Sequence, residues 1–76
     1  MKKLMLSAKW CGACQIMKPI VEEMKDVEII DVEENPEIAD KYNIMSLPAF
    51  IVDGTEIKIK FGSMPKQMLE EFYGKV

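Results

Sequence analysis

The sequence predicts an α/β fold, a four-stranded mixed sheet with helices on both faces, in the order βαβ, a short helix, then ββα. Three observations predict it. An apolar run passes directly into helical periodicity near the N-terminus, Asn35-Pro36 opens a short helix in the middle, and Asp53-Gly54 separates two strand-like runs before a last amphipathic segment. A right-handed crossover makes the first two strands parallel, and the hairpin adds two antiparallel ones.

Each element has its own signal. Lys3 to Ser7 carries the continuous run Leu4-Met5-Leu6, which suits a central strand buried on both faces. From Gly12 to Lys25 the apolar positions are Ala13, Ile16, Met17, Ile20, Val21 and Met24, with Gln15, Lys18, Glu22, Glu23 and Lys25 left to face water. Pro19 lies inside this helix and is expected to kink it, because the Gln15 carbonyl loses its backbone donor. Val27 to Val32 reads as a second strand around Ile29 and Ile30. Asn35 is placed as an N-cap with Pro36 at the first helical position, and the short helix is expected to bury Ile38, Ala39 and Tyr42 and to end at Asn43.

Pro48 to Val52 forms the third strand, and Asp53-Gly54 is the hairpin signal. Glu56 to Phe61 alternates, with Ile57, Ile59 and Phe61 inward and Glu56, Lys58 and Lys60 outward, which marks a half-buried edge strand. Gly62-Ser63 precedes a last helix with Met64, Met68, Leu69 and Phe72 on one face and Gly74 as its C-cap.

Composition narrows the function. The chain has 76 residues, 49% of them hydrophobic and 30% charged, which predicts a single globular domain over residues 1–76. Its net charge of −3 lacks the basic stripe a nucleic-acid surface needs. The sequence contains no arginine and no histidine, so bidentate phosphate recognition is disfavoured, and the usual general base and a common metal ligand are missing. Met1-Lys2-Lys3-Leu4-Met5-Leu6 resembles the start of a signal peptide, but its apolar run stops at Ser7-Ala8-Lys9. No stretch reaches transmembrane length. The expectation is a monomeric, cytoplasmic protein of a reducing compartment, with no membrane or nucleic-acid partner.

The chemistry is concentrated in Trp10-Cys11-Gly12-Ala13-Cys14, which holds both cysteines. A thiol at the first turn of a helix feels the positive end of the helix dipole and unpaired backbone N–H groups, both favouring thiolate. A partner three residues on shares the helix face and is close enough to form and break a disulfide. Lys9 is expected to strengthen that field. The alternatives are a structural disulfide, which closes too small a loop to stabilise much, and half of a zinc site shared in a dimer. The seven methionines at helical spacing read as adaptable core filler.

Together with Pro19, Ser46-Leu47-Pro48 and Gly62 before the last helix, this stretch resembles the thioredoxin and glutaredoxin superfamily. The likeness runs from about Lys2 to Lys75. It implies a thioredoxin-like fold of glutaredoxin size, with Cys11 as exposed attacking thiol and Cys14 as resolving thiol. It also implies that Pro48 takes a cis-proline role beside the dithiol and that the Leu47 backbone pairs with an extended substrate segment. Trp10 would cover the active-site rim with Gly12 and Ala13 in the linker, and Gly62 would admit a substrate backbone. The resemblance implies a protein-disulfide oxidoreductase with no cofactor or metal of its own, whose partners are disulfide-containing proteins and a thioredoxin-reductase-like flavoprotein.

The chain departs from thioredoxins in ways that bear on mechanism. The extra first strand and helix are absent, and Ala13 stands where proline is usual between the cysteines. Met5 takes the place of the buried aspartate beneath the dithiol and Ile29 that of its lysine partner, leaving Ser7 as a candidate to solvate Cys14. With neither proline nor histidine in the linker, the expected poise is reducing, roughly −270 to −200 mV. Against glutaredoxins, Gly62-Ser63-Met64 lacks an acidic pair for the tripeptide's amino end. Glu22, Glu23, Glu33 and Glu34 would repel an anionic tripeptide near the site. Two further readings stay open, a glutathione-dependent glutaredoxin and a binding module that uses the fold without redox chemistry.

Overall fold

The computed structural model describes residues 1–74; the expected domain and likeness extend to Lys75 and beyond, outside the described residues. The elements are β1 (Lys2–Ser7), α1 (Gly12–Glu22), β2 (Glu28–Asp31), α2 (Pro36–Lys41), β3 (Ala49–Asp53), β4 (Ile57–Phe61) and α3 (Lys66–Tyr73). They follow the expected order. The sheet runs β2-β1-β3-β4, so the first strand in sequence is central, as its apolar run requires. β1 and β2 are parallel with Met5 opposite Ile29 and Ser7 opposite Asp31. β3 lies antiparallel to β1, with Leu6 opposite Ala49, and β4 pairs antiparallel with β3.

Alternation along β1 divides the core between the two faces of the sheet. Met5 joins Cys11, Cys14, Met17, Val21, Met24, Phe50, Leu69 and Tyr73 on the α1 and α3 side. Leu4 and Leu6 join Tyr42, Ala49 and Ile51 on the α2 side. Tyr73 stitches the layers together: its buried hydroxyl donates to the Leu4 carbonyl at 2.5 Å, across almost the whole sequence. At the outer rim, Lys66 of α3 and Glu23 at the C-cap of α1 form an ion pair at 2.9 Å. That pair lowers the Glu23 pKa and raises that of Lys66, through the hydrogen bond first and the charge second.

Several local expectations need correction. α1 ends at Glu22, short of Lys25, although a Met24-to-Val21 backbone bond carries Met24 into the core. Ile16, an apolar position of the helical pattern, is 69% exposed, because the buried seam runs through Cys14, Met17, Val21 and Met24, and Ile16 falls beside it. Met68 is likewise exposed, while Tyr73, which the pattern does not pick out, is buried one turn after Leu69. On β4 only Ile59 packs against the α2-side cluster. Ile57 and Phe61 share its face but are left exposed at the two ends of this edge strand. Asn35 stands at the N-cap position of α2, yet its side chain donates to the Asp31 carbonyl at 3.2 Å rather than capping the helix. Asn43 ends that helix region with φ 57°, and Gly74 closes α3 with φ 83°.

Candidate active site

The site is built where β1 ends and α1 begins. Ser7 closes the strand, and Ala8 to Trp10 turn the chain so that Cys11 becomes the N-cap of α1. Two hydrogen bonds hold this turn. The Cys11 backbone amide donates to the Ala8 carbonyl at 3.1 Å, and the Gln15 side-chain amide donates to the same oxygen at 2.9 Å. In the sequence Gln15 reads only as a water-facing helix residue. No local signal marks its role, because its reach back over one turn depends on the loop's path.

Cys11 takes the capping position that serine or aspartate fills elsewhere, and its sulfur accepts from the Cys14 backbone amide at 3.2 Å. No acidic side chain sits in the first turn of α1 to cancel the positive end of the helix. The arrangement favours negative charge on the Cys11 sulfur. The two cysteines are joined by a disulfide, with their Cα atoms 5.2 Å apart. Cys14 is fully enclosed, at 0% exposure. Cys11, expected to be exposed, retains only 7%, because its sulfur is turned onto the helix amide and its partner. The accessible edge of the disulfide therefore belongs to Cys11.

The other sequence-predicted residues fall as follows. Trp10 is 68% exposed on the turn, Gly12 is exposed, and Ala13 is half-buried against the core. The Leu47–Pro48 peptide bond is cis, with Pro48 buried and Leu47 half-buried between the two clusters. Gly62 adopts φ 90°, and its amide donates to the Pro48 carbonyl at 3.0 Å, so β4 delivers Gly62 to the proline. A Cβ there would meet no atom within 4 Å, which makes glycine a backbone requirement and leaves open space above it. Met5 and Ile29 are apolar neighbours beneath the dithiol layer, in one cluster with both cysteines. Among the described residues, no group of three or more histidine, cysteine, aspartate or glutamate side chains is placed to hold a metal ion. No helix among them is long and apolar enough to cross a membrane.

A disulfide between a cysteine at a helix N-cap and a buried cysteine three residues on is suited to dithiol exchange. Fold and site together define a thiol–disulfide oxidoreductase acting on protein disulfides. The thioredoxin family model matches residues 4–75, and the chain belongs to the thioredoxin family. It is 40% identical over 78 residues to thioredoxin of Bacillus subtilis (strain 168), covering 90% of this chain and 74% of that one. Against thioredoxin of Staphylococcus aureus (strain Mu50 / ATCC 700699) it is 39% identical over 77 residues, with the same coverage. Among solved structures, a mutant thioredoxin from Halobacterium salinarum NRC-1 superimposes with a TM-score of 0.82 at 28% identity. That match covers 93% of this chain and 69% of the other.

Proposed function

We propose that Cys11 is the attacking thiol and Cys14 the resolving one, and that the protein reduces disulfides in partner proteins. The observation that carries this is the unequal setting of the two sulfurs. Cys11 holds the accessible edge and the helix N-cap, and Cys14 is sealed behind it. In the reduced protein the Cys11 thiolate attacks one sulfur of the substrate disulfide, forming a mixed disulfide and releasing the other sulfur as a thiolate that takes a proton. Cys14 then loses its proton and attacks the Cys11 sulfur. The bond to the substrate breaks, the second substrate sulfur leaves as thiolate and is protonated, and Cys11–Cys14 is oxidised by two electrons.

The substrate surface in this reading is the rim of Trp10, Gly12 and Ala13 together with Leu47, Pro48 and Gly62. An extended substrate segment pairs with the Leu47 backbone as an added strand, and the open space above Gly62 supports its approach. A flavin-dependent reductase returns the two electrons, and the protein works as a cytoplasmic monomer, a single domain over residues 1–76, without nucleic-acid or membrane partners. The poise is reducing. The departure of Met5 and Ala13 from the family pattern concerns the tuning of the dithiol, not the exchange itself.

The test is trapping with Cys14→Ser. The expected result is mixed disulfides accumulating on Cys11, released by dithiothreitol, with Cys11→Ser trapping none. Accumulation on neither variant overturns the division of roles. Insulin reduction driven by a flavoprotein reductase, and absent with glutathione and its reductase, is the expected recycling pattern. The reverse result assigns the chain to the glutaredoxin mode.

A further inference from the structure

Ser7 holds, among the described residues, the one buried side-chain polar atom with no hydrogen-bond partner. The residue is 1% exposed. Alternation along β1 places it on the face of Met5, the α1 side, whereas Leu4 and Leu6 point to the α2 side. It is the last residue of β1, followed by Ala8, which joins the cluster containing Cys11 and Cys14. The remainder of this layer beneath the dithiol is apolar, with Met5 and Ile29 side by side across the β1–β2 ladder. A buried hydroxyl without a partner leaves its desolvation uncompensated, and a hydroxyl can rotate its hydrogen to any acceptor that appears.

In the oxidised protein Cys14 spends its sulfur valence on Cys11. Reduction opens that bond and adds two electrons and two protons, leaving on Cys14 a thiol that becomes, on proton loss, a thiolate whose charge makes it a stronger acceptor than the disulfide sulfur. We propose that Ser7 is a positioning residue for Cys14: in the reduced protein its hydroxyl donates to the Cys14 sulfur. It holds that sulfur toward Cys11 and solvates the negative charge that develops as Cys14 loses its proton to attack the mixed disulfide. No proton leaves Ser7 in this step; it donates a hydrogen bond and keeps its hydrogen. The inference rests on Cys14 being the buried resolving thiol.

Because the hydroxyl is unpaired in the oxidised form and paired in the reduced form, it favours reduction. Removing it favours the disulfide. The experiment is the equilibrium of the Cys11–Cys14 couple against a glutathione redox series, read by alkylation mass spectrometry, for Ser7→Ala, Ser7→Thr and Ser7→Val. Ser7→Ala and Ser7→Val are expected to shift the equilibrium about tenfold toward the disulfide, about 30 mV more negative. Ser7→Thr, which keeps the hydroxyl in the shape of valine, stays within about twofold of the unsubstituted protein. Denaturant unfolding adds a second reading, in which Ser7→Ala destabilises the reduced form and leaves the oxidised form unchanged or more stable. An unshifted Ser7→Ala equilibrium overturns the proposal, as does a Ser7→Thr shift equal to that of Ser7→Val. Equal losses of stability in both redox forms also overturn it, since they mark a purely structural role. Failure of Cys14→Ser to trap a mixed disulfide overturns the cysteine roles instead, so the two failures are told apart.

Discussion

The Gln15 side-chain amide donates to the Ala8 carbonyl at 2.9 Å, and through that one oxygen it braces the turn that presents Cys11. Gln15→Ala removes the brace while the Cys11 amide keeps its own bond to Ala8. A loss of about 0.5–1.5 kcal/mol is expected in urea unfolding of the oxidised protein. Gln15→Glu, which aims an acceptor at a carbonyl, is expected to cost more. Equal stability of all three proteins would show that the turn holds itself.

Gly62 has φ 90°, and a Cβ added there meets no atom within 4 Å. Gly62→Ala therefore isolates the backbone cost of a left-handed residue, about 1–2 kcal/mol. Gly62→Asn is expected to lose less, since asparagine tolerates this region better than alanine. Denaturant midpoints of the two variants decide it, and a steric origin would reverse their order.

The Tyr42 hydroxyl donates to the Asp53 carboxylate at 2.6 Å, joining the end of α2 to the end of β3. That bond, with burial and the carboxylate charge behind it, raises the Tyr42 pKa from 10.0 to about 12. A pKa raised on folding stabilises the protein below the unfolded value. The contribution is thus complete below pH 10 and is lost as pH climbs from there through about 12. Ultraviolet titration should show this phenol ionising late. Asp53→Asn should bring its midpoint back toward 10, and Tyr42→Phe should cost about 1 kcal/mol at neutral pH. A midpoint unmoved by Asp53→Asn would remove the carboxylate as the cause.

Tyr73→Phe tests the tie between α3 and β1. The hydroxyl donates to Leu4 from a buried position, and burial above all raises its pKa. Loss of the bond is expected to cost about 1 kcal/mol and to lower Tm by roughly 4–8 °C for a domain of this size. An unchanged Tm would mean that packing alone seats the helix.

Fold class, element order and the dithiol are legible in the sequence because each rests on a local signal. Leu4-Met5-Leu6 marks a strand buried on both faces, Cys11 and Cys14 lie at helical spacing, and Asn35-Pro36 and Gly74 punctuate helices. What stays hidden depends on contacts between elements. Ile16 and Met68 match the helical period as well as Met17 and Leu69 do, and only the position of the sheet decides which are covered. Ile57 and Phe61 alternate with Ile59 yet lie exposed at the ends of the edge strand, which its own periodicity does not reveal. Asn35 meets Asp31 and Gln15 meets Ala8 through loop paths that no periodicity describes. Ser7 is visible as a residue near the dithiol, but its unpaired hydroxyl is a property of the packed layer.

The sheet order β2-β1-β3-β4 places the earliest strand at the centre and takes one neighbour, β3, from the second half of the chain. The cluster that encloses Cys14 also draws on Phe50, Leu69 and Tyr73. On a ribosome adding roughly 5–20 residues per second, both cysteines are made seconds before the side chains that seal one of them. Through that interval the cluster that encloses Cys14 is incomplete. The difference between Cys11 and Cys14 is thus acquired late in synthesis, when the second half of the chain arrives to enclose Cys14 fully and leave Cys11 a narrow exposed edge.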